Sequence, residues 1–462
     1  MSKKKQTFEE LLEEAIVQEN DYPYEIPENW VWTKMGTVFY EVRNGTTLTQ
    51  NKLGEGFPVT RIESVQNNLI ERNRLGYISN EKLKEKDFYE QGDIVFSHIN
   101  SYEHVGKTAL IQSENLPMVH GMNLLRLRTN KTLFNPEYLQ LFMQTHMFRM
   151  SVRDRVNRAV NQVSINQKML NEVLIPCMPV SEQTKIVNQV SELQLKIDEA
   201  KHLIEQVKET FEHRRAAILD MAFSGELSEI VYNERNSLWN IVNLGSLILS
   251  GPQNGLYKPQ TAYGEGNLIV RIDNFYNGNI NDWATLKRLR LDAKEVSLYG
   301  LEEGDILVNR VNSIQYLGKS ALVRNLPEDC VFESNVMRFK VNNDLIDNEY
   351  LILYLNSHAG LRELRKNAKH AVNQASINQT DVKNTIVPLP SLAEQKLIVE
   401  IVSKLTLKEK HALTFIKEQL NQIKILKQAI LSKAFRGELG TNDPSEESAI
   451  ELIKEILKEQ VK

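Results

Sequence analysis

The hydrophobic pattern of this chain changes period twice, and in the same way each time. From 181 to 222, apolar or small residues recur as Ile186, Val190, Leu193, Ile197, Ala200, Ile204, Val207, Phe211, Ile218 and Met221, in steps of four and three with Arg214 out of character. That is a heptad seam, and it predicts one long helix that pairs along its length. A second seam, through Ile398, Val402, Leu405, Ala412, Ile416, Ile423, Leu426 and Ile430, is interrupted by Glu409 and Gln419 and is the weaker. Ahead of each seam, at about 22–157 and 239–367, short runs such as "DIVF", "ALIQ" and "DILV" alternate with Gly, Asn and Asp. Each of these parts also holds a helical stretch, "EYLQLFMQTHMFRM" or "EYLILYLNSHAGLREL". Each therefore predicts a compact α+β domain around a twisted sheet.

The two patterns are copies. "AVNQVSINQ" at 159–167 returns as "AVNQASINQ" at 371–379, 212 positions later, and "YEQGDIVFSHINSYEHVGKTALI" (89–111) aligns with "LEEGDILVNRVNSIQYLGKSALV" (301–323) at the same offset. "GFPVTRIESVQNNLI" (56–70) matches "GNLIVRIDNFYNGNI" (266–280), and "WVWTKMG" (30–36) matches "WNIVNLG" (239–245). "IPCMPVSEQTKIVNQVSEL" matches "VPLPSLAEQKLIVEIVSKL", and "AILDMAFSGEL" (217–227) matches "AILSKAFRGEL" (429–439). The chain is a tandem duplication.

Connectivity then sets direction. The first long helix leaves the first globular domain and delivers the chain to the second; the second helix starts there and must pair along the same seam, so it runs back. The fold class that follows is α+β: two α/β domains separated by two long helices in an antiparallel coiled coil, with pseudo-two-fold symmetry. Some 42 helical residues at 1.5 Å each make a spacer of at most ~60 Å.

Composition narrows the class. With 462 residues, 41% apolar and 25% charged, the chain is long enough for two or three buried cores and shows no bias towards disorder. Cys177 and Cys330 have neither C-x-x-C spacing nor a nearby His pair, which argues against a zinc site and a disulfide framework and implies a reducing, cytoplasmic compartment. No run approaches the ~20 apolar residues of a membrane span, and "MSKKKQTFEELLEEAI" lacks an apolar signal core. The net charge of -4 neither supports nor excludes nucleic acid, because binding follows local clusters of Lys and Arg.

Such clusters precede both copies of the repeated string: Arg149, Arg153, Arg155 and Arg158 before the first, Arg362, Arg365, Lys366 and Lys369 before the second. "SINQ" has the capping-box form S-x-x-Q, with Ser164 and Gln167, then Ser376 and Gln379, starting a short helix. We read the string as a domain-closing cap beside a surface that holds the phosphate backbone. "FNPEY" superficially resembles the N-P-P-aromatic site of adenine methyltransferases, but Glu137 replaces the second proline and the other copy reads "IDNEY", so it is read as a helix start. "GEGF" and "GEGN" lack the context of a phosphate loop and are read as turns.

Two variable α+β domains alternating with two similar helices, the helix entries "MPVSEQ" and "LPSLAEQ", the exits "FSGEL" and "FRGEL", and the N-terminal "EELLEEAI…PYEIPENWVW" together resemble the specificity (S) subunit of Type I restriction-modification systems. The resemblance covers nearly the whole chain. It implies an N-terminal helical segment (1–21), target-recognition domains at 22–178 and 226–388, long helices at 179–225 and 389–440, and a C-terminal helical tail (441–462). It further implies that each domain reads half of a bipartite asymmetric site in double-stranded DNA, while the helices set the gap and bind two modification (M) subunits, with restriction (R) subunits in the full complex. An S subunit carries no catalytic residue, metal or cofactor; S-adenosylmethionine belongs to M, and ATP with Mg to R.

If the half-sites differ, residues common to both halves should be scaffold, phosphate or partner contacts, and base readers should lie where matched loops differ. The common set contains Arg61/Arg271, Asn100/Asn312, Lys107/Lys319 and the Gly-Asp pairs 92–93 and 304–305, which are read as turns. The lysines are either phosphate contacts or solvated surface residues. His98, Tyr102, Glu103 and His104 stand against Arg310, Ile314, Gln315 and Tyr316, chemistries that suit groove reading. A second differing loop, 43–52 against 250–259, offers Arg43, Asn44, Gln253, Asn254 and Lys258. The basic runs add Arg153, Arg155, Arg158, Arg365, Lys366 and Lys369 as backbone contacts.

Two rival readings remain at this level: a coiled-coil scaffold bridging proteins without DNA, and a self-contained DNA methyltransferase or nuclease. The basic clusters count against the first and the missing methyltransferase motifs against the second. The amphipathic ends "TFEELLEEAI" and "SEESAIELIKEILKEQ" either dock partners or pack on their own domains.

Overall fold

The computed structural model describes residues 7–51, 54–79, 83–160, 162–227, 239–372 and 374–461; Lys52, Asn161 and Asn373, members of strings singled out above, lie outside them. The chain forms two compact units, Met1–Leu203 with Gln419–Lys462 and Ile204–Glu418. Each is described by itself.

Both units contain a four-stranded antiparallel sheet of the same order. In unit 1 its strands are Phe39–Asn44, Leu124–Thr129, Ile94–Ser97 and Thr108–Leu110; in unit 2 they are Ile248–Asn254, Val336–Val341, Ile306–Asn309 and Ser320–Leu322. The central runs "IVF" and "ILV" are apolar at every position because both faces are covered. Ile94 and Phe96 enter one core while Val95 enters another, and Ile306 and Val308 separate from Leu307 in the same way.

The Gly-Asp pairs do more than turn the chain. Asp93 Oδ2 accepts from the Glu90 amide at 2.7 Å, and Asp305 Oδ2 from the Glu302 amide at 2.7 Å. Both carboxylates are also buried against cations: Arg128 Nε lies 2.6 Å from Asp93, while Arg338 and Lys340 lie 3.7 and 3.9 Å from Asp305. "GEGN" is likewise no simple turn, since it lies inside the irregular strand Tyr263–Val270.

Each helical stretch is split by a capped break. Pro136–Met143 is followed by His146–Arg153, where Thr145 Oγ1 accepts from the Phe148 amide; Asn348–Leu355 is followed by His358–Arg365, where Ser357 Oγ accepts from the Gly360 amide. Asn135 and Asp347 cap the leading helices, so "FNPEY" and "IDNEY" are helix starts as expected.

The long helices span Val180–Ser224 and Leu392–Ala434. Their segments run antiparallel within unit 1, where Gln189 Nε2 donates to the Leu439 carbonyl and Lys427 Nζ reaches Asp198 at 2.6 Å. In unit 2, Ala222 and Phe223 from the end of one helix share a core with Ile398 and Val402 from the start of the other. The seam holds at Ile186, Val190, Ile197, Ile398, Val402, Ile416 and Ile430, all buried. It fails at Val207 and Leu426, which are 48% and 49% exposed.

Helix entries and exits grip each unit by matching contacts. Gln183, fully buried, accepts from the Asn135 amide through Oε1 and donates to the Met178 carbonyl through Nε2, both at 2.9 Å. Gln395 accepts from the Asp347 amide at 2.7 Å and donates to the Pro390 carbonyl at 2.9 Å. Phe435 packs on Tyr138 and Phe142 with ring centroids 5.1 and 5.2 Å away, and Phe223 packs on Tyr350 and Tyr354 at 5.5 and 5.1 Å. Unit 1 is therefore held by the start of the first long helix and the end of the second, and unit 2 by the converse. The terminal helices Phe8–Ala15 and Ala449–Val461 pack into the core of unit 1. Among the described residues no helix is long and apolar enough to cross a membrane.

Two outcomes follow. Phe435→Ala removes a buried ring and should cost unit 1 about 3–5 kcal/mol. Hydrogen exchange should then quicken across 134–177 but not in unit 2, and Phe223→Ala should show the converse. The second outcome concerns His120, which is buried, with its pKa pushed down to about 3 by burial and by Arg126; its counterpart in unit 2 is Phe332. Unfolded histidine takes a proton near pH 6.5 that the folded ring refuses, so unit 1 should lose stability as pH falls from about 6.5. Denaturant titrations at pH 7 and pH 5 should show this loss, and His120→Phe should reduce it.

Candidate nucleic-acid interface

The loops that differ most between the halves sit on one shared backbone frame. In unit 1 the Gly106 amide donates to Ser97 O and the Ser97 amide to Lys107 O; in unit 2 the Gly318 amide donates to Asn309 O and the Asn309 amide to Lys319 O. Gly106 and Gly318 have φ of +83° and +75°, a conformation that favours glycine. Asn100 Oδ1 accepts from the Ser101 amide and Asn312 Oδ1 from the Ser313 amide, each at 2.8 Å. These shared asparagines shape the turn.

On this frame the varying residues diverge in chemistry. His98 is part-buried, and burial holds its pKa below the ordinary value; Arg310, its counterpart, donates through one terminal nitrogen to the Ser334 carbonyl at 3.0 Å. His98 Nδ1 and Arg310 Nε are both buried and have no hydrogen-bond partner in the protein. Tyr102 and Tyr316 are 40% and 38% exposed, and Gln315 is exposed at the crest of its loop.

Cations gather around both loops. Arg153 and Arg158 lie over the Tyr102 ring at 5.5 and 5.1 Å, and Lys319 Nζ sits between the Tyr276 and Tyr316 rings at 3.9 and 4.2 Å. Lys107 Nζ donates to Gln66 at 2.9 Å, so the shared lysines are held by matching positions, Gln66 and Tyr276, of the small hairpins Val65–Gln66/Leu69–Ile70 and Phe275–Tyr276/Asn279–Ile280. Sequence reasoning missed these two holders, although the strings containing them align. It also undervalued Arg149, which with Lys107 and Arg153 lines a cleft of about 300 Å³. Burial lowers the pKa of both Lys107 and Arg149, as do, respectively, Arg74 and Arg153; burial and then Arg365 do the same to Lys319. Like charges crowded this way favour an anion between them.

Arg153 and Arg365 have a further, structural task. Arg153 donates to the Glu103 carbonyl at 3.2 Å; Arg365 donates to the matching Gln315 carbonyl at 3.4 Å and to the Leu317 carbonyl at 2.8 Å. Each ties its helix to the crest of the varying loop. Arg155 turns back to the Ser151 carbonyl, Lys366 lies 3.9 Å from Glu363, and Lys369 is exposed.

Other sequence candidates are engaged elsewhere. Arg61 and Arg271, although shared, pair with Glu63 and Glu333, each at 3.2 Å. In the second loop Arg43 pairs with Glu41, Lys258 pairs with Glu295 at 2.6 Å, and Gln253 bonds Arg338 and the Leu298 carbonyl. Asn44 and Asn254 are exposed. The arrangement thus brings the 98–107 residues together with Arg153 and Arg158 in unit 1 and, separately, the 310–319 residues with Arg365 in unit 2, while the charges of the second loop are balanced locally.

The repeated string is not a Ser-initiated cap. Asn157–Ala159 and Gln162–Ser164 form a hairpin that adds Ile99–Asn100 as a third strand; Lys369–Ala371, Gln374–Ser376 and Val311–Asn312 repeat it. Ser164 and Ser376 pair with Ile99 and Val311, and the short helices that follow are capped by Asn166 and Asn378. Strand partners some 65 residues away override the local S-x-x-Q signal.

A family model described as the Type I restriction modification DNA specificity domain matches twice, at residues 27–209 and 236–424. The chain is 30% identical over 401 residues to a putative type I restriction enzyme MjaX specificity subunit of Methanocaldococcus jannaschii, covering 81% of this chain and 86% of that one. It is 28% identical to the StySPI specificity subunit of Salmonella potsdam, covering 90% of each. Its fold resembles a solved HsdS subunit from Thermoanaerobacter tengcongensis (TM-score 0.57, 20% identity, 91% of this chain and 100% of that one). It also resembles a chain from a structure of a type I R-M system in assembly (TM-score 0.67, 19% identity, 90% and 100%).

Arg153→Lys and Arg365→Lys keep the charge but lose the guanidinium bonds to the loop carbonyls. Each should speed exchange of the amides at 101–106 or 313–318 by roughly tenfold, the scale of one lost hydrogen bond, and should weaken duplex binding. Wild-type exchange in the lysine variants would mean that the arginines act by charge alone.

Proposed function

Because the chain belongs to the Type I restriction-modification DNA specificity family, we propose that each of its units reads one half of a bipartite, asymmetric DNA site. The chain is a DNA-recognition subunit and is non-catalytic, which removes the protein-scaffold and self-contained-enzyme readings. The observation that carries the half-site reading is a single loop frame, built twice, that presents His98, Tyr102, Glu103 and His104 in unit 1 but Arg310, Ile314, Gln315 and Tyr316 in unit 2. Different side chains on one frame suit two different half-sites, while the crowded cations beside them suit phosphates common to any sequence.

In this reading 22–178 and 226–388 are the target-recognition domains, 179–225 and 389–440 the helices that set the gap, and 1–21 and 441–462 terminal helical segments. Two similar surfaces favour two M subunits, which would bring S-adenosylmethionine, and R subunits would bring ATP and Mg. Arg310 is assigned to a base edge on the grounds of its place on the varying loop and its guanidinium chemistry, and Lys107, Arg149 and Lys319 to phosphates.

The test is a loop exchange read by genome-wide mapping of modified adenines. Replacing 98–104 by a loop of different sequence should change one half of the methylated site and leave the other half and the gap intact; replacing 310–316 should do the converse. An unchanged site in both chimaeras would sink the assignment. Lys107→Gln and Lys319→Gln should each weaken binding to all duplexes alike and reduce the salt dependence by about one counterion.

A further inference from the structure

The two hairpins raise a question that base reading leaves unanswered. At their tips stand Val160 and Val372, 92% and 91% exposed, more than any other large apolar side chain among the described residues. A valine left in water forgoes about 1.5–3 kcal/mol of burial, yet both halves keep it, in the same tetrapeptide Ala-Val-Asn-Gln. The first strand of each hairpin is exposed at every residue, so the tip is held out from the domain surface.

Three features indicate what meets it. Neither "NRAVNQVS" (157–164) nor "KHAVNQAS" (369–376) contains a carboxylate, whereas Arg158 in one and Lys369 in the other are exposed cations. Each hairpin is hydrogen-bonded to the strand that opens its varying loop, Ile99–Asn100 or Val311–Asn312, so loop and tip approach one ligand together. The tip is also identical where the loops differ, and a valine has no hydrogen bond with which to read a base edge.

We propose that Val160 and Val372 are matched apolar wedges that press into the base stack of duplex DNA from the minor groove, without sequence preference, while the neighbouring cations rest on phosphates. This inference rests on the DNA-recognition reading above. A wedge at each half-site deforms the duplex alike at both, and leaves discrimination to the loops.

The test uses the complex reconstituted with its methyltransferase subunits, carrying Val160→Ser, Val372→Ser or both. The probes are a target duplex and a scrambled duplex of the same composition, with affinity read by anisotropy at fixed salt and bending by end-to-end energy transfer. Each single variant should weaken both duplexes by the same factor, about threefold, and the double variant by about tenfold. Bending should fall in step, and the methylated sequence should stay unchanged. The exposed tips bury nothing, so thermal unfolding should match wild type. Unaltered affinity and bending overturn the proposal, as does a changed methylated sequence, which would make the hairpins readers. Loss of co-elution with the methyltransferase subunits, with DNA terms intact, also overturns it by making them a protein interface. A wild-type complex that binds neither duplex instead removes the DNA-recognition reading itself.

Discussion

The grip of each unit on the two long helices is the constraint from which the rest of the arrangement follows. A buried glutamine at one helix entry satisfies the first amide of a short helix, Asn135 or Asp347, and an aromatic ring at the other helix's exit packs two turns along the same short helix. Tyr138 and Tyr350 close the contact by donating to the Pro176 and Pro388 carbonyls at 2.7 and 2.9 Å. A buried amide side chain without these partners would carry an uncompensated desolvation cost of roughly 1–3 kcal/mol. The motif is therefore specific for glutamine, and it sets the direction of both helices in each unit.

The same grip reaches the varying loops by a short mechanical route. The clamped helix Pro136–Met143 ends at a Thr145 cap that redirects the chain into His146–Arg153, and Arg153 then ties to the loop crest at Glu103. Unit 2 repeats every link with Asn348–Leu355, Ser357, His358–Arg365 and Gln315. Rigid positioning of a varied loop by an unvaried support is what discrimination between bases requires, since bidentate groove contacts tolerate little displacement. The chain's net charge of -4 is no obstacle, because its cations crowd at Lys107, Arg149 and Arg153, where Glu103 is the one carboxylate lining the same cleft, while others such as Glu63 and Glu295 pair locally.

The duplication, the long helices and the family were legible in the sequence because each is written as repetition or period. The exposure of Val207 and Leu426 was not, since a heptad count marks apolar positions without showing which of them meet a partner. Ser164 and Ser376 misled because a local cap signal says nothing about a distant strand partner, and the Gly-Asp pairs concealed buried ion pairs whose arginines lie some 35 residues on. Of the candidate contacts, the loop residues fell together as the alignment of the halves suggested. Arg43 and Arg61 are held by Glu41 and Glu63, neighbours two residues away whose pairing the charge count passed over, whereas the Glu295 that holds Lys258 is distant in the sequence.

Because the fastening contacts are spelled almost identically in both halves, the chain is built from interchangeable cassettes. A genetic crossover within the "EQ" or "GEL" coding stretches would join foreign varying loops to a frame that still supplies their glutamine and their ring. Such a hybrid inherits a working mount in a single event, so the loops can change faster than the architecture that carries them.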